Sequence, residues 1–519
     1  MGLLVDTISF DTDHLFPLVV GLVAAYWSSI VLYRLFLSPL RCFPGPRLAA
    51  LTYWTEAYYQ LLHGEGGQFQ FKYRQWHERY GPIIRINPRE LHIQDAPFFE
   101  TMYAFSKPAS KLKDLEHRFN MPTSAFETSD PHIHRVRRAA LNQFFSKRKI
   151  SDRVPLINYH MDELCQRLRA EYQGTGRLLA VNDMFGCWIA DIIIEYCFER
   201  QCTFIGEPEF KSAFVSSVFD MLEPVHWATQ FPWMGRVMQM LPDSVLGWLN
   251  QQMKNMLDFQ GELHVQVEDS LRSAQEKDTK NERPGTIFTS IINSDTPRSE
   301  VTSMRLQHEA TSVVGAGIET TTRALSISIF HIANNPWIDK RLREELTAAI
   351  PDPDNIPTWE ALEQLPFLSA CVNESLRLAY GTSQRLPRVL ETDSIVYKNH
   401  IIPPGTVVSM DIYDVHHDED IFPDSHTYNP LRWLDADGCP ARAPDGRLLS
   451  RYMVVFGRGP RACVGMQLAY AELFIGIARL IRRFEFELFE TGMTDVVMAR
   501  DCFVPRPGKG SKGVRVLVK

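Results

Sequence analysis

The chain has 519 residues, of which 45% are hydrophobic and 23% charged, and a formal net charge of -7. Length alone suggests two to four domains, but no linker composition or repeat divides the chain after about residue 50, so one large body is the simpler reading. The acidic balance, with both signs mixed along the chain, disfavours nucleic acid, and the nine cysteines, scattered without a CxxC pair, argue against a disulfide framework and for a reducing compartment.

In chain order, Leu15 to Tyr33 carries no charged side chain and is long enough to cross a bilayer. A cleaved signal peptide would want a basic start and a small-x-small site. Here the start is acidic (Asp6, Asp11, Asp13), and Arg34, Arg41 and Arg47 follow the run, which puts the body on the cytosolic side. Pro44-Gly45-Pro46 then breaks the helix. The expected organisation is a lumenal segment at 1–14, a single-pass anchor at 15–33, a proline-rich linker at 34–50 and the folded body at 51–519.

Helical patterns dominate that body. Leu51–Leu62 and Phe69–Tyr80 read as amphipathic helices, and Pro82–Gln94 as two short strands turning at Asn87-Pro88. His132–Phe145 is a basic helix. Leu156–Tyr172 and Val181–Phe198 are further helices, the second apolar nearly all round and so buried. Residues 275–298 read as a charged surface connection. Ser303–Asn334 is one long helix stopped by Asn335-Pro336, and Pro336–Ile350 and Pro366–Tyr380 follow. From Pro387 the pattern turns to short strands, with a last long helix from Cys463 to about Arg482 and hairpins in the tail. The fold class is mainly α with a minor β part.

The strongest chemical signal is Phe456-Gly457-Arg458-Gly459-Pro460-Arg461-Ala462-Cys463-Val464-Gly465. Its glycines permit turns that a Cβ would forbid, and a helix begins where it ends, so Cys463 sits where dipole and free N–H groups favour a thiolate. An isolated cysteine in a glycine turn would be an ordinary core residue. The full pattern FxxGxRxCxG resembles the signature of the cytochrome P-450 family, which implies the triangular helical fold of haem-thiolate monooxygenases and heme b with Cys463 as the axial iron ligand. The resemblance further implies that Arg461 reaches a haem propionate and that Phe456 shields the sulfur.

Other motifs fall in the family's order. Ala316-Gly317-Ile318-Glu319-Thr320-Thr321 places glycine inside a helix, at a cost of about 1 kcal/mol, beside a hydroxyl and a carboxylate suited to relaying protons. By itself it would read as a closely packed helix with Thr320 bonded back to the preceding turn. It resembles the oxygen-activation helix, which makes Thr320 and Glu319 the catalytic candidates. Glu374 and Arg377, three apart, form the E-x-x-R pair, and Arg432 in Pro430-Leu431-Arg432-Trp433 is the expected third member. His134 and Arg138, four apart, resemble a propionate-binding pair. Arg388 resembles another propionate ligand, with Arg385 as its rival. Asn373-Glu374-Ser375 matches a glycosylation sequon but overlaps the E-x-x-R helix.

Finer likeness, in Arg385-Leu386-Pro387-Arg388 and Ala469-Tyr470-Ala471-Glu472-Leu473 among others, is to fungal members of the trichodiene-oxygenase-like group. That implies an endoplasmic reticulum enzyme of secondary metabolism oxidising a lipophilic, terpenoid intermediate. Electrons would come from NADPH through NADPH-cytochrome reductase, with cytochrome b5 as a further partner. Arg135, Arg137, Lys147, Arg148 and Lys149 are the candidate dock for an acidic partner. Phe214–Leu241, rich in aromatic and Met residues, would roof the site and touch the bilayer. Polyketide or alkaloid scaffolds, a haem-using isomerase or dehydratase, and a haem sensor or carrier without turnover are the alternatives.

Overall fold

The structure, a computed structural model, describes residues 12–104, 108–242, 245, 247, 251–275 and 285–519. Residues 1–11 of the expected lumenal segment and 276–284 of the expected connection lie outside the described residues. The helix Thr12–Leu32 continues as a π-helical turn, Tyr33–Leu37. Its stretch Phe16–Leu37 has a mean hydropathy of 1.8 and no buried part, and is long and apolar enough to cross a membrane.

The body is mostly helical, with four small sheets. The largest runs β1 (Ile83–Asn87), β2 (Glu90–Ile93), β7 (Val407–Ser409), β4 (Arg388–Val389), parallel only between β2 and β7. β3 (Leu178–Ala180), β11 (Arg515–Val518) and β8 (Phe486–Leu488) form the second, while β5 (Ile395–Tyr397) with β6 (His400–Ile402), and β9 (Arg500–Cys502) with β10 (Val504–Arg506), are hairpins.

The long helix Ser303–Ala333 is the axis of the molecule. It packs on Val181–Phe198, Pro366–Ala379, Gln251–Gln275 and Met466–Arg483. Thr302 caps it by accepting from the Arg305 N–H. Val181–Phe198 is buried on almost every side, as its all-round apolar sequence predicts. The basic helix Pro131–Phe144 starts at Asp130, whose carboxylate accepts from the N–H groups of His132 and Ile133, both at 2.8 Å.

Three expectations need correction. Leu51–Leu62 is not one helix: Arg47–Leu51 ends at the extended Thr52, and a second helical stretch, Trp54–Ala57, passes directly into a π turn at Tyr58–Leu62. The helix expected from Leu156 begins at Lys147 and runs through Pro155, carried by Ile150 and Ile157, which are buried on either side of it. Within the supposed surface connection, Ile287–Ile292 is a helix capped by Thr286, with Ile287, Phe288, Ile291 and Ile292 buried.

Glu374 and Arg377 are wholly buried and bidentate, Nε to Oε2 at 2.9 Å and Nη2 to Oε1 at 2.8 Å. Arg432 donates to the same carboxylate at 3.0 Å, as expected, and Trp433 Nε1 and the Asn429 N–H complete its shell at 3.0 and 2.8 Å. Burial acts to raise the Glu374 pKa, but the Arg377 hydrogen bond and the charges of Arg377 and Arg432 outweigh it and hold the carboxyl below its usual range. Removing one partner strands buried charge, which costs about 3–5 kcal/mol. Glu374→Ala is therefore expected to lower the unfolding free energy measured by denaturant titration by that amount, and an unchanged midpoint would show that the network is dispensable.

Candidate active site

A cavity of about 340 Å³ lies where the long helix, the Cys463 loop, the basic helix, the Lys111–Glu127 segment and the tail hairpin converge. The loop is held by short backbone bonds. Gly457 N–H donates to Val454 O, and Cys463 N–H to Phe456 O at 2.7 Å. Gly459 has φ +70, and a Cβ there would sit 2.1 Å from the Tyr103 carbonyl, so the turn excludes any other residue. The helix Met466–Arg483 starts directly after Gly465.

The exposed surface of Cys463 faces this cavity rather than bulk water. Burial accordingly pushes its thiol up, opposed by the Gly465 N–H and by the charge of Arg138. The Phe456 ring borders the cavity and packs on Tyr470 at 5.1 Å.

Cations gather on the same wall. Arg461 donates to the carbonyls of Thr128 and Ser129 at 2.6 and 2.9 Å, and Arg138 to that of Ala462 at 2.7 Å. Among the described residues Arg388 donates only to the adjacent Pro387 carbonyl, and Lys111 to that of Phe126 at 2.5 Å. Burial, with Arg388 next, lowers Arg461 to about 9. Burial, with Arg461 and Lys111 next, lowers His134 to about 2. Among the described residues no carboxylate comes within 4.0 Å of Lys111, Arg138, Arg388 or Arg461. Buried charges are normally paired, so this wall fits a cofactor carrying anionic groups. An iron porphyrin, with propionates for the cations and a metal for the sulfur, matches that donor set.

Arg385 and Arg388 differ in pairing: Arg385 meets Glu56 and Glu90, both at 2.7 Å, whereas Arg388 has no carboxylate within 4.0 Å among the described residues.

Thr320 borders the cavity and its hydroxyl donates to Ala316 O at 2.8 Å. Glu319 also borders the cavity, but its carboxylate is held by Arg506 rather than by Thr320. The carboxylate is buried and meets Arg506 of β10 at 2.9 Å, while Arg506 also donates to Phe219 O at 2.8 Å. Burial raises the Glu319 pKa against the opposing charges of Arg506 and Arg323, and its Oε2 has no hydrogen-bond partner.

The expected roof divides. Val218, Met221 and Leu222 reach the cavity, whereas Trp227 and Trp233 are exposed and form an aromatic group with Phe231 and the exposed Trp54. The expected basic dock is also thinner than its sequence: Arg137 turns inward to Glu300 at 2.6 Å and Lys147 pairs with Glu363, leaving Arg135, Arg148 and Lys149 exposed. Lys111, Arg118 and Arg506 were not foreseen, because short charged runs such as Lys111–Arg118 look like solvated loops until the fold encloses them.

Comparison with known proteins agrees with this geometry. Residues 50–510 match the family model described as Cytochrome P450. The chain is 45% identical over 508 residues to cytochrome P450 monooxygenase orf4 of Eupenicillium brefeldianum, covering 97% of this chain and 98% of that one. It is 39% identical to cytochrome P450 monooxygenase sdnE of Sordaria araneosa, covering 96% of each, and 36% identical to tryptophan 6-hydroxylase fscE of Fusarium equiseti, covering 95% and 94%. The chain belongs to the cytochrome P450 family of monooxygenases.

Proposed function

We propose that this protein is a membrane-anchored haem-thiolate monooxygenase that hydroxylates or epoxidises a lipophilic intermediate of fungal secondary metabolism, a terpenoid first among scaffolds. Electrons would come from NADPH through a separate reductase, with cytochrome b5 as a further donor. The observation that carries the reading is the meeting, in one cavity, of a cavity-facing thiol with a wall of partly buried cations that have no carboxylate within 4.0 Å among the described residues. When bound there, haem supplies the redox chemistry that activates dioxygen.

The chain's own residues divide the remaining work. Cys463 would supply the sulfur that holds the iron, and the Gly465 N–H and Arg138 favour its thiolate. Arg461, Arg138, Arg388 and His134, with Lys111 beside them, would hold the propionates. Phe456 shields the sulfur. Thr320 holds and passes a proton at its Oγ1, and Glu319 is the acid behind it. Leu115, Met121, Phe126, Val313 and Val504 give the cavity an apolar wall that suits a hydrocarbon substrate and excludes water. The similarity to a protein named tryptophan 6-hydroxylase supports an amino-acid-derived scaffold as the second reading.

The reading of the N-terminus as a single-pass anchor in the endoplasmic reticulum, with residues 51–519 as the catalytic domain, rests on the exposed apolar helix Phe16–Leu37 and its basic flank. Exposed Trp54, Trp227 and Trp233 add a second lipid contact. Deleting residues 1–40 is expected to release most of the protein into the soluble fraction in a detergent-free wash, with a minority retained through those aromatics. Unchanged sedimentation with membranes would reject the anchor.

Cys463→Ser is expected to abolish the thiolate-type spectrum of the reduced carbon monoxide complex, because an alcohol is a much weaker donor. Survival of that spectrum would assign the ligand elsewhere.

Thr320→Ala tests the reaction. Alanine is the better helix former, so folding and haem content should persist. Product formed per NADPH should fall about tenfold or more, since a positioned acid–base group contributes about 10²–10⁴-fold, with hydrogen peroxide released in place of product. With reductase, NADPH and labelled dioxygen, the wild type should place one labelled oxygen atom in its product. Turnover without NADPH or dioxygen would establish an isomerase or dehydratase instead.

A further inference from the structure

One cation of the cavity stands apart from the group near Cys463. Arg461 feels chiefly Arg388, Asp130 and Arg138, whereas the charged neighbours of Arg118 are Glu127, Asp501 and Arg385. Lys111 lies between the two groups. The Arg118 guanidinium is clamped by two rings, 4.7 Å from the centroid of Phe119 and 4.7 Å from that of Phe503. Phe126 closes the aromatic group, 5.9 Å from Phe119 and 5.8 Å from Phe503.

The hydrogen-bonding capacity of Arg118 is mostly unused. Its Nη1 donates to Gln384 Oε1, its enclosed Nε has no partner, and Nη2 makes no hydrogen bond among the described residues. No carboxylate of the described residues comes within 4.0 Å of the guanidinium. Glu127 and then Asp501 favour its charge from beyond 4.0 Å, but both Glu127 oxygens are engaged by backbone N–H groups, of Phe119 and Met121, each at 2.7 Å. Burial lifts Glu127 to about 7 and lowers Arg118 to about 10.

Gln384 extends the same feature. Because its Oε1 faces the guanidinium, its Nε2 is the free end, and that nitrogen bonds nothing among the described residues. Both residues line the cavity. The result is a rigid, planar donor fork with an amide donor beside it, set among aromatic rings. Charge-assisted bonds are about twice as strong as neutral ones, so a carboxylate compensates this desolvated cation better than a ketone or hydroxyl would.

We propose that Arg118 and Gln384 form an anion-recognition point, and that the substrate is a lipophilic carboxylic acid whose carboxylate sits on this pair while its hydrocarbon body lies against Phe119, Phe126 and Phe503. The inference rests on the reading of this cavity as the substrate site.

The test uses full-length holoenzyme and a panel of C10–C15 mono- and bicyclic carboxylic acids, each with its methyl ester and primary alcohol, at pH 7.5. Binding is followed by calorimetry and by the ligand-induced spectral shift. At least one acid is expected to bind wild type about 10–100-fold tighter than its ester, the range of a hydrogen bond to a charged group. Arg118→Gln should remove that preference while ester affinity stays within about twofold, and Arg118→Lys should restore part of it. Should Arg118→Gln fail to fold, the wild-type preference and the Arg118→Lys variant decide the matter. The proposal is overturned if esters bind wild type as tightly as acids, or if no acid of the panel binds. It is equally overturned if Arg118→Gln retains the acid preference, or loses acids and esters alike, the mark of a structural role. Failure of the monooxygenase reading would appear separately, as absence of NADPH- and dioxygen-dependent product with acid selectivity intact.

Discussion

The carboxylate of Glu374 is the point on which the cofactor side of the molecule is built. It is fully buried, and its donors come from two parts of the chain, Arg377 on its own helix and Asn429, Arg432 and Trp433 on the later loop. Arg377 passes the constraint on. Its Nη1 donates to the carbonyls of His416 and Ser425 at 2.9 and 2.6 Å. His416 Nε2 accepts the Val454 N–H at 3.1 Å, so its Nδ1 carries the proton and donates to Arg377 O at 2.8 Å. Burial, with the Arg377 charge next, lowers His416 to about 3, which keeps the ring neutral and this bond pattern intact near neutral pH. Val454 O then accepts from Gly457, at the start of the Cys463 loop. A continuous set of hydrogen bonds thus runs from the buried ion pair to the start of the Cys463 loop.

Cations in and around the cavity are held in two ways. Arg385 with Glu56 and Glu90, Arg305 with Glu309 and Arg377 with Glu374 have carboxylates against them. The buried Arg388 and the half-buried Lys111, Arg138, Arg461 and Arg118 have none within 4.0 Å among the described residues. A fold gains nothing from desolvating an unpaired cation. The second set is therefore meaningful only toward molecules that bring their own negative charge.

The sequence made the long-range framework legible where periodicity or a fixed spacing carried it. Phe69–Tyr80 and Val181–Phe198 lie where the pattern placed them, the long helix ends one residue short of the expected Asn334, and Arg432 reaches Glu374 as its motif implies. The helix expected from Leu156 starts earlier, at Lys147, because buried residues on both sides of Pro155 outweigh one missing backbone bond. The cofactor-side residues of the motifs, Cys463, Arg461, Arg138, His134 and Arg388, converge on one cavity. Arg118, Lys111 and Arg506 were illegible because nothing local distinguishes an enclosed arginine from a solvated one. Their enclosure comes from Phe119, Phe503, Phe126 and Phe219, which are distant in sequence or silent in pattern.

The long helix illustrates why adjacency in sequence is a poor guide to a relay. Glu319 and Thr320 are neighbours, yet successive residues on a helix diverge by about 100°, and here they face different partners. Thr320 looks into the cavity and bonds its own preceding turn, while Glu319 is held by Arg506 from the tail hairpin. Arg506 also bonds the carbonyl of Phe219 in the helix Ala213–Asp220, from the same stretch that supplies Val218 to the cavity roof. One guanidinium thus joins the roof, the tail strand and the acid of the long helix. The acid of the long helix and the roof of the cavity are thus tied to one residue from near the end of the chain.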